Sequence, residues 1–344
     1  MQFNLNSRVI RLVAILMMNA CVIPAYAQDE QNADGSAQEA AKPTIKPSAA
    51  EIASKASTAQ INDLATAGQS VVAVGERGII LTSVDGKDWK QSASPVDVLL
   101  NAVFFLDSQQ GWAVGHDAAI IATADGGKTW KLQSFSPGLN KPLMDVVFID
   151  AQRGFAVGAY GLFKATVDGG VTWTDFVDPV FEERQPHLNA ITRLRDGALL
   201  LVGEAGLVAA SEDGSSWRAV PLEYKGSLFG VAARGDHGAV VAGMRGNVYE
   251  AQDLNAGTWQ QLNTGSTKSL FGLVTVGGDD LVAVGSAGTA LVLRAGSPVK
   301  RLQFKSSGDN SEAALFTNAL YWRNNLLIAT DHGFKTVGIA KPKT

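Results

Sequence analysis

Short apolar runs separated by turn residues repeat along this chain, and the second unit shows the rhythm most plainly. Leu100–Phe105, Gly111–Gly115, residues 119–124 and residues 129–135 each read as a β-strand. They are divided by residues 107–110, by His116-Asp117 and by Asp125-Gly126-Gly127, all of turn-forming chemistry. The middle two runs are apolar almost throughout, as expected of strands covered on both faces. One landmark recurs in every unit: a strand ending in glycine, two variable residues, usually a second glycine, then another apolar strand. The first glycine stands at 75, 115, 158, 203, 243 and 285, and Thr330 takes its place in a seventh unit. A second landmark is TADGGKTW at 123–130, with relatives at 83–89, 166–173 and 211–217 and a decayed copy at 251–259. Its tryptophans are spaced by 41, 43, 44 and 42 residues. A period of about 40–45 residues carrying four short strands predicts a β-propeller.

Seven units fill residues 58–344, so the expected fold is all-β, a seven-bladed β-propeller of four-stranded antiparallel blades. The last unit shows only three strands, at 313–322, Asn325–Thr330 and 334–340. The stretch before Thr58 is the only donor for a fourth, an exchange that would close the ring and hide an edge.

The N-terminus changes the picture of where the ring works. Arg8 and Arg11, an apolar run at 12–18 and the small-x-small triplet Ala25-Tyr26-Ala27 read as a signal peptide over residues 1–27. The run is shorter than the roughly 20 residues a membrane span needs. A periplasmic protein is expected, with lipid anchoring at Cys21 as the minor alternative. Residues 28–57, rich in Ala, Gln, Glu, Lys, Pro and Ser, read as a flexible leader, part of which, around 42–46, adds to a sheet edge. Cys21 is the single cysteine of the 344 residues, so the processed chain has no thiol for catalysis or metal binding. Loss of Arg8 and Arg11 with the signal takes the net charge from −4 to −6 without leaving a basic block, which argues against a nucleic-acid partner.

Candidate chemistry divides between the two landmarks. Asp85, Asp125, Asp168 and Asp213, with Trp89, Trp130, Trp173 and Trp217, read as structural: the carboxylates accept from turn amides and each tryptophan packs beside the next blade. The variable pairs of the glycine-flanked turns have no core duty and share one face with the blade-to-blade links. Glu76, Arg77, His116, Asp117, Tyr160, Glu204, Arg245 and His332 are therefore candidate partner-binding residues. Arg77 and Arg245 could each grip a carboxylate or phosphate, or else pair with Glu76 or Glu204. The longest link, residues 174–187, adds Phe181 and Arg184. The four histidines, His116, His187, His237 and His332, fall in different units without ligand spacing, so no metal and no cofactor are expected.

The aspartate-tryptophan motif is the Asp box, and the chain resembles the Asp-box (BNR repeat) propellers. Sialidases share the box, but an arginine cluster with a Tyr/Glu pair is not found, and no catalytic residues are assigned. VAVGERG at Val72, GWAVGHD at Gly111, RGFAVGAYG at Arg153, GEAGL at Gly203 and GSLFGV at Gly226 carry a closer resemblance. They are similar to the photosystem II stability/assembly factor-like propellers, in their non-photosynthetic bacterial branch. That resemblance implies a non-enzymatic assembly or scaffold factor that docks a membrane protein or its periplasmic portion. It also implies, outside photosynthesis, a transporter partner of the resistance-nodulation-division (MMPL) type. A glycan-binding or glycoside-hydrolase-like propeller is the alternative.

Overall fold

The computed structural model describes residues 46–304 and 314–339. The expected signal peptide and the expected leader up to residue 45 lie outside the described residues, as do 305–313 and 340–344. Seven antiparallel sheets follow one another in sequence order, six of four strands and the last of three among the described residues. The inner strands are Ile61–Ala67, Leu100–Phe105, Leu143–Phe148, Leu188–Arg193, Leu228–Arg234, Leu270–Gly277 and Phe316–Trp322. Each packs beside the next, and Phe316–Trp322 packs beside Ile61–Ala67, which closes the ring.

Apolar residues on both faces of the middle strands make this arrangement. Gly111–Gly115 and Gly154–Gly158 are buried at every position, and each sheet presents one face to either neighbour. The core is accordingly seven separate clusters, one at each seam between adjacent blades. The box tryptophans sit in these seams, but against the preceding blade, not the following one. Trp89 of blade 1 stacks on Phe334 of blade 7 with ring centroids 4.0 Å apart, and Trp173 of blade 3 donates to Gln133 Oε1 of blade 2 at 3.1 Å. The hand of the ring decides this: the sheet face from which the fourth-strand tryptophan projects is the one turned back along the chain.

The described part of the leader, residues 46–57, contains no strand. A 3-10 turn, Ala56–Thr58, lies beside the last blade, where Gly333 N–H donates to Ala59 O at 2.8 Å. Upstream the segment runs past the outer strand of blade 1, Lys90–Ser92: Ala53 N–H donates to Gln91 Oε1 and Gln91 Nε2 donates to Glu51 O, both at 2.8 Å. Closure of the ring also uses bonds between its two ends. Thr317 Oγ1 donates to Ile61 O at 2.7 Å and Asn318 Nδ2 to Asp63 Oδ1 at 2.6 Å.

At the seam of blades 5 and 6 an ion pair replaces apolar contact. Arg234 Nη1 lies 3.1 Å from Glu250 Oε2 with both side chains about fully buried, while Arg234 also donates to Asp279 O and Leu293 O of blade 6. Removing one partner strands the other charge in the core, at a cost of about 3–5 kcal/mol. Glu250→Ala is expected to lower the urea-unfolding free energy by that amount, whereas Lys164→Met, which breaks a pair with the exposed Asp175, is expected to cost clearly less.

Candidate functional site

The two ends of the ring are built from different turns. The Asp-box turns and the first-to-second-strand turns share one end, tied by bonds such as Gly126 N–H to Gln109 O and Gly169 N–H to Gln152 O. The glycine-flanked turns and the blade links share the other. There the residue after the first glycine donates its N–H to the carbonyl just before the inner strand in all seven blades, from Glu76 to Gln60 O at 3.1 Å through Asp331 to Leu315 O at 3.2 Å. The glycine is required because a Cβ at 75, 115, 158, 203, 243 or 285 would collide with that same carbonyl oxygen.

The next residue is the tip of the turn, and in six blades it is a non-glycine residue in the left-handed region: Arg77, Asp117, Tyr160, Ala205, Arg245 and Ala287, with φ between 52° and 57°. Backbone bonds clamp each tip, so its side chain projects from a fixed base. Tyr160 is 46 % exposed and packs against His187 with centroids 4.6 Å apart.

The candidate residues separate on inspection. Glu76 and Glu204 do not pair with arginine. Glu76 Oε1 accepts from Gln60 N–H at 3.1 Å and Glu204 Oε2 from His187 N–H at 3.3 Å, and Asp331 Oδ1 does the same for Leu315 N–H. These carboxylates hold the entrance to their own inner strands, and Glu76 and Glu204 stand on blades 1 and 4 without facing each other. Burial pushes the His116 and His187 imidazoles below their ordinary pKa. Phe181 must be set aside as a surface residue. Asp178 caps a short helix, Pro179–Glu182, that folds the long link inward and leaves Phe181 4 % exposed against Phe163 and Trp217. Arg184 and His332 remain exposed.

The arginines distinguish the ends further. At the Asp-box end Arg193 donates to Ile149 O of blade 3, Arg195 pairs with Asp279 at 2.7 Å across to blade 6, and Arg323 donates to Val84 O of blade 1. At the opposite end Arg77, Arg184 and Arg245 make no side-chain hydrogen bond or ion pair with any described residue.

The boxes themselves are closed turns. Thr129 Oγ1 donates to Asp125 Oδ2 at 2.6 Å and Thr129 N–H to Oδ1 at 2.9 Å, and Thr172 repeats this on Asp168. Those bonds, the hydroxyl one foremost, hold both carboxyls down at about 2. Asp85 and Asp213 accept from their own turn amides in the same way. Among the described residues no three His, Cys, Asp or Glu side chains group as a metal site, and no helix is long and apolar enough to cross a membrane.

Sequence reading missed the lining of the mouth. Every inner strand has a bulge at its second residue: Asn62, Asn101, Met144, Asn189, Phe229, Phe271 and Thr317. Asn62, Asn101, Asn189 and Thr317 reach the next blade and donate to the carbonyls of Leu100, Leu143, Leu228 and Ile61 at 2.7–2.8 Å. Phe229 and Phe271 instead lie against each other, centroids 5.5 Å apart. Their signal is the repeat Ser-Leu-Phe-Gly at 227–230 and 269–272. One residue deeper, Asp63 accepts from Val103 N–H and Leu64 N–H, and Asp145 from Ile191 N–H and Val146 N–H, all at 2.8 Å. Burial raises the carboxyls to about 6 for Asp63 and about 7 for Asp145, with the like charge of Asp63 adding to the second.

A family model described as Photosynthesis system II assembly factor YCF48 matches residues 80–139 and 133–298. A solved structure of YCF48 bound to D1 peptide is 18% identical, covering 86% of this chain and 100% of its own, with a TM-score of 0.66. YCF48 from Cyanidioschyzon merolae is 15% identical over 81% of this chain and 95% of its own, also at 0.66. The WD40 propeller domain of Doa1 is 10% identical over 84% and 96%, at 0.61. At these identities the likeness is one of fold. No curated protein matches the chain in sequence.

Two outcomes follow from the geometry. Because the folded pKa values of Asp63 and Asp145 lie above the ordinary 3.8, the folded ring keeps protons that the unfolded chain has released. Their contribution to stability is complete below about pH 4 and is lost as pH rises through about 6 to 7. Urea midpoints measured from pH 5 to 8 should fall more steeply for the wild type than for Asp145→Asn. Arg77→Gly and Arg245→Gly relieve a left-handed residue that costs about 1–2 kcal/mol, against a glycine entropy penalty of about 0.5–1 kcal/mol. Calorimetry should find melting temperatures equal to or above that of the wild type.

Proposed function

We propose that this chain, which belongs to the Photosynthesis system II assembly factor YCF48 family, is an exported, non-enzymatic accessory factor that docks a membrane protein on the glycine-turn end of its ring. The observation that carries this reading is the division of the arginines. Arg193, Arg195 and Arg323 at the Asp-box end tie blades together, while Arg77, Arg184 and Arg245 project from the opposite end without a side-chain partner among the described residues, two of them on clamped left-handed tips. A guanidinium fixed at its base and free at its head is suited to take a carboxylate from another molecule. Tyr160 adds an exposed aromatic ring to the same end, a residue type enriched where proteins meet. A YCF48 structure of similar fold holds a D1 peptide, which makes a peptide segment a fitting ligand for this ring as well.

The partner is then the periplasmic portion of a membrane protein, met after removal of residues 1–27. A transporter of the resistance-nodulation-division (MMPL) type is the first candidate. The glycan-active alternative gains no support from the mouth, where Glu76 and Glu204 each hold a backbone amide of their own, separate blades.

Photocrosslinking in intact cells tests the assignment of the face. p-Benzoylphenylalanine at position 160 is expected to give an adduct with a membrane protein, and the same probe at the exposed Val167 of an Asp-box turn is not. Charge reversal at Arg77 and Arg245 together should reduce the adduct about tenfold, the effect of losing roughly 1.4 kcal/mol. An adduct confined to position 167, or one indifferent to the reversals, would reject the glycine-turn end as the docking surface.

A further inference from the structure

The mouth of the ring is not uniform: blades 3, 5 and 6 lack the tie that the others make, and of these blades 5 and 6 carry aromatic rings in its place. In blades 1, 2, 4 and 7 the bulged residue carries a donor that ties it to the next inner strand. Phe229 and Phe271 carry none, so the carbonyls of Leu270 and Phe316 that follow them go without this side-chain bond. Two half-buried aromatic rings therefore meet at the rim beside two carbonyls that lack the tie found elsewhere. The turn bearing Arg245 sits between them: Met244 N–H donates to Ser227 O, two residues before Phe229, and Arg245 N–H to Ser269 Oγ, two residues before Phe271. The links leading into blades 5 and 6 carry the exposed Lys225 and Lys268, set against one exposed acid, Glu223.

Resting on the reading that this end docks the partner, we infer that the blade 5–6 sector is a seat for an acidic extended segment. An apolar side chain of that segment packs on the Phe229–Phe271 pair, and its flanking carboxylates meet Arg245 and Lys268. Charge selects the occupant. The apolar pair alone would accept any hydrophobic side chain, but the cations around it favour one carried between acidic residues.

The probes are three fluorescein-labelled peptides, GEEFEEG, GEEAEEG and GKKFKKG, titrated by anisotropy against the processed chain. GEEFEEG is expected to bind about tenfold more tightly than either of the others, and its affinity should weaken as salt is raised. The double variant Phe229→Asn/Phe271→Asn restores the residue type that ties blades 1, 2 and 4, so its melting temperature should match or exceed the wild type. Its affinity for GEEFEEG should fall about tenfold, the scale of a lost interface anchor. Arg245→Ala should lower affinity and flatten the salt dependence, and Lys128→Ala, in an exposed Asp-box turn at the opposite end, should leave peptide binding unchanged. Equal binding of all three peptides, no binding by the wild type, or undiminished binding by the folded asparagine variant would each overturn the seat. Peptide binding without a membrane adduct at position 160 would reject the docking role and keep the seat. The reverse pattern would reject the seat alone.

Discussion

One hydrogen bond, made seven times, sets the geometry from which the rest of the molecule follows. The amide after the second strand of each blade reaches the carbonyl in front of its inner strand, and in six blades the approach is so close that the preceding residue must be glycine, Thr330 of blade 7 being the exception. That contact fixes where the inner strand begins and therefore where its bulge falls. It also fixes the turn, so that six tips adopt the same left-handed conformation whatever side chain they bear. The tips are thus interchangeable in shape and free to differ in chemistry, the condition under which a rigid scaffold can carry a recognition surface.

The two ends of the ring use the same residue types in opposite ways. Arginine at the Asp-box end acts as a mechanical tie, because the turns there expose carbonyls that a long cation can reach on a neighbouring blade. At the other end the carbonyls of Leu100, Leu143 and Leu228 are taken by Asn62, Asn101 and Asn189 and that of Tyr160 by Lys141, and Arg77, Arg184 and Arg245 make no such tie among the described residues. Carboxylates divide likewise. Those of the boxes and of Glu76 and Glu204 are occupied by amides, so the acids add little to the chemistry offered at the mouth.

Much of this fold was readable in the sequence because its constraints exclude side chains. A carbonyl that tolerates no Cβ leaves a glycine behind, and a turn closed by a carboxylate and a hydroxyl leaves Asp and Thr at fixed spacing; both recur often enough to count blades. The direction in which Trp89 or Trp173 packs was not readable, since a period carries no information about the hand of a ring. The site was legible only in part. Arg77, Tyr160 and Arg245 stand where turn logic puts them, but Glu76 and Glu204 look the same in sequence whether they bind a partner or their own backbone. Phe181 was misplaced although Asp178-Pro179 spells a capped helix start that turns the loop inward. Phe229 and Phe271 escaped notice because an aromatic residue in a strand reads as core unless the bulge beneath it is known.

The bonds from Thr317 to Ile61 and from Asn318 to Asp63 join residues more than 250 positions apart. Blade 1 consequently lacks one of its two walls until the final strands arrive, and the cluster around Ile61, Val71 and Leu81 stays open to water until then. Contacts so distant in sequence are slow to form, and the chain must pass through a horseshoe with two sticky ends before it is circular. During its maturation the molecule is itself an unfinished assembly, vulnerable to joining with a second copy at the gap it has yet to close.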